Sequence, residues 1–507
     1  MMKPLTRLYS NPTLWVMLTV LVKVPIFLTR HIQEDAFITW RVAKNVLDFG
    51  VIGFNGAERI SASTTHLYVA VSAFFQFLFG GFFVYPLLVF SSILFAVGSI
   101  WLARLFFNDD LKRQFLFVVL LNIVPPALTA SCVGMEYGIL FFFYCGLIYH
   151  AVYRGKNWAY FVFPLLLLWT RLDAAIFLGV LFLADFIIRR KFNYVFLMAG
   201  IIGLSSIVLF NFLYFGELVN HTITAKKIAY KNFFLDQSWR HIVLQWAYYG
   251  GLIKKYSVLT LGVFVAFLLL LCFCLFKIIK SKMFNREQKI LILAISVFAL
   301  LKISVFAYFQ AYFDWYYWLP RVFLFVVMII YLLNFLPLNK KFLLLGLVMF
   351  FGTFYLFQFV QSYAIGYMED GQRRKIAKEL SVDGDPRHSI MLEPAGIIPF
   401  YTGFYTYDEV GLVNKKITAE MQNDENLWWV NSVRKFQPDY ILTVKNKVGA
   451  TGSYYQLKQA DTEFFNSRYR FVKTYQIAEL TQNAPQILKW VYEFRPIGKD
   501  YHLYKKR

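Results

Sequence analysis

The sequence predicts an α-helical polytopic membrane protein of about eleven transmembrane helices, followed by a small C-terminal α/β domain. Three observations lead there. Of the 507 residues 58% are hydrophobic, 20% aromatic and only 16% charged, where a soluble domain carries about 25% charged residues. Apolar runs recur from Leu14 to about Val360 and then stop, while 361–507 has mixed charge and no segment long enough to span a bilayer. Finally, basic clusters alternate with acidic gaps along the apolar part. Lys3/Arg7, Lys112/Arg113, Arg154/Lys156, Arg189/Arg190/Lys191, Lys277 to Lys289 and Lys340/Lys341 take one set of gaps; Asp35, Glu136, Asp173, Glu217 and Asp314 take the other. The positive-inside rule puts the first set in the cytoplasm. The net charge of +22 is thereby explained without nucleic acid as a partner.

The elements follow in order. Spans are expected near 13–29, 83–106, 114–132, 137–153, 158–170, 174–188, 195–213, 257–276, 290–308, 319–337 and 342–360. With a cytoplasmic N-terminus this gives a transmembrane domain over 1–360 and an extracytoplasmic α/β domain over 361–507. The first run is not followed by a small-residue cleavage site and reads as a retained helix. His66 to Gly80 is apolar but would reverse every later loop if it crossed, so it reads as an interfacial helix. In the same first outer loop Phe37, Trp40, Ala43 and Leu47 recur at helical spacing, with Arg41, Lys44, Asn45 and Asp48 on the opposite, polar face. In the C-terminal domain, strands are expected at Ser389–Leu392, Tyr405–Tyr407, Tyr440–Val444, Tyr469–Tyr475 and Trp490–Phe494. The four cysteines lie in or beside apolar runs and show neither a disulfide framework nor zinc spacing.

The unusual polar groups gather in loops on the outer side. They are Glu34/Asp35, Gly134-Met135-Glu136, Thr170-Arg171-Leu172-Asp173, Tyr214-Phe215-Gly216-Glu217 through Ala225-Lys226-Lys227, and Asp314-Trp315-Tyr316-Tyr317. Carboxylates near a bilayer are costly to desolvate and usually mark function. Carboxylates, cations and aromatics on one face suit a reaction on a membrane-embedded substrate with a charged head group.

The first loop reads Glu34-Asp35-Ala36-Phe37-Ile38, then Arg41-Val42-Ala43-Lys44-Asn45, then Gly53-Phe54-Asn55-Gly56-Ala57-Glu58-Arg59, then Ser63-Thr64-Thr65. This order resembles the motif of GT-C glycosyltransferases, polytopic enzymes that take sugars from polyprenyl-phosphate donors, and is most similar to the branch containing cell-wall arabinofuranosyltransferases. Gly134-Met135-Glu136, Thr170-Arg171 with Asp173, and Tyr214-Phe215-Gly216-Glu217 with Thr222 and Ala225-Lys226 extend the likeness. Ala395-Gly396-Ile397-Ile398 with Gly411-Leu412 echoes it in the C-terminal domain. Glu34 replaces the family's first Asp, Asn220-His221 its usual Pro-Asn, and Leu172 interrupts its Arg-Pro-Asp/Glu.

The resemblance implies an inverting transferase that moves a sugar from a polyprenyl-phosphate-linked donor to a cell-envelope glycan or glycolipid, on the outer face of the bacterial cytoplasmic membrane. Such transfer needs a base for the acceptor hydroxyl and cations for the departing phosphate. Asp35 matches the family's second acidic slot and is the candidate base, its bland alternative being a helix cap. Glu34 either tunes Asp35, positions acceptor or metal, or is a solvated charge. Arg171, Lys226, Arg59 and His66 are candidates for the donor phosphate, with Lys227 beside them. Arg171 has the alternative of a structural bridge to Asp173. Glu136, Asp173, Tyr214, Glu217, Trp315 and Tyr316 are candidate substrate contacts, although Trp315 and Tyr316 also fit an ordinary aromatic belt. Paired carboxylates are able to hold Mg²⁺ or Mn²⁺, but no ligand spacing demands a metal and none is expected to be required. A flippase for a lipid-linked sugar is the main rival; it would show repeated halves and helices broken near the midplane, and neither is visible. A ligase or polymerase using a diphosphate donor would carry its large outer loop late in the chain.

Overall fold

The computed structural model describes residues 9–230, 258–309, 313–337, 341–383, 385, 387–445, 447–449 and 455–507. The expected basic residues Lys3, Arg7 and Lys340 lie outside them. Helices stand at the position of every expected span: Pro12–Leu28, Val84–Phe107, Leu111–Ile123 with Pro125–Cys132, Tyr137–Gly146 continuing through Leu147–Tyr153, Asn157–Thr170, Ala175–Arg189, Tyr194–Phe215, Val258–Lys280, Arg286–Tyr308, Trp318–Phe335 and Lys341–Ala364. Among the described residues five helical stretches are long and apolar enough to cross a membrane, and a bent pair makes up to six. The chain is a multi-pass membrane protein. The stretch expected as one span over 114–132 is that pair, Leu111–Ile123 and Pro125–Cys132, bent by 72°. The cause is local: Pro125 drives Val124 into extended backbone at ψ 145°, which ends the first helix.

The fold comprises two compact units: Met1–Phe27, Val84–Ile207 and Phe234–Gln358 form one; Leu28–Phe83, Val208–Phe233 and Phe359–Arg507 form the other. The first is built on the apolar helices. Tyr144, Phe177, Phe298 and Phe323 interlock at its centre, with Phe177 and Phe298 rings 4.9 Å apart and edge-on. Such pairs add about 0.5–1.5 kcal/mol beyond the area they bury.

The second unit holds a sheet. Its strands are β1 (Ser389–Leu392), β2 (Tyr405–Asp408), β3 (Tyr440–Val444), β4 (Val448–Gly449), β5 (Tyr455–Gln456), β6 (Tyr469–Tyr475) and β7 (Tyr501–Lys506). Five of them run in the order β2-β1-β3-β7-β6, and β4 pairs with β5 alone. β1 is parallel to β2 and β3, and β7 is antiparallel to β3 and β6. Trp490–Phe494, expected as a strand, is instead the end of a helix, Gln486–Phe494. Leu488, Val491 and Tyr492 fall on one helical face and pack on Ala364 and Met368. The fifth strand is β7, whose lysines and histidine masked the alternation of buried Tyr501 and Leu503.

The first-loop helix, Glu34–Phe49, also departs from the amphipathic expectation. Leu47 is exposed, whereas Arg41 and Asn45 are buried. The Arg41 guanidinium donates to the carbonyls of Phe54 (2.9 Å), Pro399 (2.5 Å), Gly403 (3.3 Å) and Phe404 (2.7 Å). Asn45 donates to the carbonyls of Gly53 and Phe54. Polar residues are inside because the groups they satisfy are backbone carbonyls of the turn at 53–54 and of the sheet domain. Arg41→Met is expected to lower unfolding free energy by about 3 kcal/mol or more, since buried carbonyls lose charged donors at about 1–3 kcal/mol each. Thermal unfolding of the purified protein measures it.

Candidate active site

In the second unit the carboxylate pair opens the helix Glu34–Phe49, with both residues in its first turn. Glu34 is fixed on both oxygens. Its Oε1 accepts the backbone N–H groups of Gly396 and Ile397, each at 2.8 Å, at the start of the helix Ile397–Thr402. Its Oε2 pairs with Arg373 at 3.1 Å, and Arg373 also holds Glu369 at 2.6 Å. A Cβ on Gly396 would lie 2.3 Å from the Glu34 carbonyl oxygen, so the approach needs glycine. Burial pushes the Glu34 carboxyl up; Arg373 and the two N–H groups pull against it without winning. A neutral amide is therefore tolerated there better than a missing side chain. Glu34→Ala is expected to cost about 3 kcal/mol by stranding two N–H groups and a cation, and Glu34→Gln less than half of that. Denaturant midpoints of the two variants test the order.

Asp35 sits one residue further on, half-buried. The loop beyond is tied to the sheet. Asn55 and Thr406 exchange two hydrogen bonds at 2.9 Å each. Gly53 packs so closely that a Cβ would lie 1.9 Å from the Glu58 carbonyl oxygen. Glu58 accepts from the Tyr405 hydroxyl at 2.9 Å, and the Arg59 guanidinium lies over the Tyr214 ring at 4.7 Å. The Tyr214 hydroxyl accepts from the Ile52 N–H at 3.0 Å.

His66 belongs to a buried polar cluster with Asn211 (3.1 Å) and Asn220 (3.4 Å), and Asn220 in turn donates to Ser61 at 2.7 Å. Burial pushes the His66 imidazole down to about 4, so at neutral pH it is a neutral hydrogen-bonding ring. Glu217 pairs with Lys415 at 2.7 Å and His221 at 3.4 Å. His221 also reaches the Gly411 carbonyl at 3.0 Å. Lys226 and Lys227 lie on the short helix His221–Ala229, Lys227 exposed.

The first unit holds a second charge cluster. Arg171 meets Glu136 at 2.5 Å and Asp173 at 2.8 Å, and Asp173 also meets Lys302 at 3.0 Å. The Tyr137 and Tyr316 rings cover the guanidinium, each at 5.3 Å. Two cations face two carboxylates in a charge-balanced group in which Glu136, Arg171 and Lys302 are buried and Asp173 half-buried. Trp315 is stacked on Phe313 at 4.7 Å and meets the Tyr316 ring at 6.0 Å.

Several members of these clusters have no place in the sequence motifs, Lys302 and Arg373 among them. Lys302 is a lone cation inside an apolar helix, Arg286–Tyr308, and a charge at such a position is itself a signal. Arg373 follows the last apolar run, within a region of mixed charge where no motif sets it apart. Among the described residues no group of three or more His, Cys, Asp or Glu side chains is placed to hold a metal ion.

A family model described as "Domain of unknown function (DUF8728)" matches residues 361–504. No curated protein matches the chain at a significant level. Among solved structures, ArnT from Cupriavidus metallidurans bound to undecaprenyl phosphate has a similar fold, with a TM-score of 0.57 and 13% identity, over 86% of this chain and 93% of that one. ArnT from the same organism in the apo state gives 0.56 and 14%, over 86% and 94%. The fold, helical with a small C-terminal sheet region, is thus shared with ArnT along most of both chains.

Proposed function

We propose that the protein is a glycosyltransferase that moves a sugar from a polyprenyl-phosphate donor to a glycan or glycolipid on the outer face of the cytoplasmic membrane. The observation that carries the reading is the fold shared with ArnT, a protein solved with undecaprenyl phosphate bound. The first-loop motif adds to it and favours the arabinofuranosyltransferase-like branch, with a hexose or a pentose as the sugar. Asp35 takes the proton from the acceptor hydroxyl as that oxygen attacks the anomeric carbon. The bond from that carbon to the phosphate oxygen breaks on the opposite side, giving an inverted product and free polyprenyl phosphate. Arg59 and Lys226 are the cations assigned to the leaving phosphate. Glu34, whose oxygens are spent on Gly396, Ile397 and Arg373, acts as a positioning residue for Asp35. The region 361–507 is assigned to the outside of the membrane, where it orients the acceptor, and the N-terminus to the cytoplasm.

The test is transfer by purified protein in lipid vesicles, offered a panel of polyprenyl-phosphate sugars with a membrane glycolipid extract. One donor is expected to give product, and to do so in EDTA, because Arg and Lys side chains supply the positive charge. Product that appears only with added Mg²⁺ or Mn²⁺ would show that a metal takes part. No product from any donor would count against the reading.

A further inference from the structure

Beyond catalysis, the helix Gln486–Phe494 presents an apolar face that no other part of the described chain covers. Ile487, Trp490 and Phe494 share that face by helical spacing and are 46%, 60% and 94% exposed. Exposed Arg495 follows directly. The adjoining face, through Leu488 and Val491, packs on Ala364 and Met368, and the Tyr367 hydroxyl donates to the Asn483 carbonyl at 3.2 Å.

What lies at that level follows from the helix it packs against. The stretch Leu345–Val382 is helical over 38 residues, about 57 Å at 1.5 Å per residue. A hydrocarbon core of about 30 Å takes up about 20 of those residues. The apolar run of this helix, expected as a span over 342–360, ends at Gln361. The composition turns at the same place, where Gln361, Ser362, Tyr363 and Tyr367 replace the apolar run. Tyrosines of this kind mark membrane–water interfaces. The helix Gln486–Phe494 is seated on Ala364 and Met368, just beyond that change in composition.

We propose that Ile487, Trp490 and Phe494 insert into the lipid headgroup layer and hold the C-terminal sheet domain down on the membrane surface. An amphipathic helix with aromatic residues on one face and cations beside it has the chemistry of an interfacial anchor. The occupant is lipid, because the face adjoins Gln361, Ser362, Tyr363 and Tyr367, residues of the kind found at a membrane–water interface.

The test uses the full chain in mixed phosphatidylcholine–phosphatidylglycerol vesicles. Cys272, the one exposed cysteine, is first changed to Ser. A nitroxide is then placed by Phe494→Cys, by Ile487→Cys, and by Arg387→Cys, where the side chain is 89% exposed. Power-saturation spectroscopy compares access by oxygen with access by a water-soluble nickel chelate. Labels at 487 and 494 are expected to favour oxygen several-fold over the label at 387. Water-like access at both positions overturns the proposal. So does mutual broadening between labels at 494 on separate chains, which would place a second copy on the face instead of lipid.

Discussion

Replacing Asp35 by Asn is expected to lower sugar transfer by about 10²-fold or more while donor binding stays within a few-fold of wild type, the loss typical of a positioned base. The substitution is nearly isosteric and removes only the ability to take a proton. Its surroundings are unusually well fixed. One residue earlier, Glu34 is held by two N–H groups and Arg373, and the helix that carries both is pinned by the four carbonyls around Arg41. A fall in kcat without a rise in donor Kd or a shift in thermal midpoint assigns the base. Normal transfer by the variant would exclude Asp35 from that role.

Arg171→Ala is expected to destabilise the protein by about 3–5 kcal/mol, because removing one partner of a buried ion pair leaves the other uncompensated. Here two carboxylates, Glu136 and Asp173, would face Lys302 alone. Arg171 was a candidate for the donor phosphate on sequence, with a bridge to Asp173 as the alternative. Its guanidinium reaches both carboxylates and lies against two tyrosine rings. The expected phenotype is thus a lower unfolding midpoint in detergent, with Arg171→Lys losing part of the effect because an ammonium lacks the guanidinium fork. Full stability with a selective loss of donor affinity would assign Arg171 to the phosphate.

Much of the fold was legible because apolar length and basic gaps are one-dimensional signals. Every expected span has a helix at its place, and four of the five strands expected in the C-terminal region stand where alternation put them. The bend at Val124 was written in Pro125-Pro126 but hidden by continuous hydrophobicity. The helix Gln486–Phe494 passed for a strand because its short apolar cluster fits either period until its packing on Met368 is known.

The candidate site was legible in identity more than in purpose. Arg41, Asn45, Asn55 and Gly396 all belong to the motifs that suggested the family; in the structure Arg41, Asn55 and Gly396 join the first loop to the sheet domain, and Asn45 ties its helix to the turn at 53–54. A motif of that kind carries scaffold as well as chemistry, and sequence spacing does not separate the two. Arg373 lies 339 positions from Glu34, and Lys302 more than a hundred from Asp173. No local pattern reports partners so distant.

The most direct measurement follows the lipid phosphate itself. Proteoliposomes holding the wild-type protein, a labelled polyprenyl-phosphate sugar and a glycolipid acceptor are analysed by mass spectrometry for free polyprenyl phosphate and for extended acceptor. Transfer by direct displacement predicts that the two appear together in equal amounts, with the new glycosidic bond inverted relative to the donor. Intact donor moving from one leaflet to the other, with no free polyprenyl phosphate and no extended acceptor, would contradict it and make the protein a transporter.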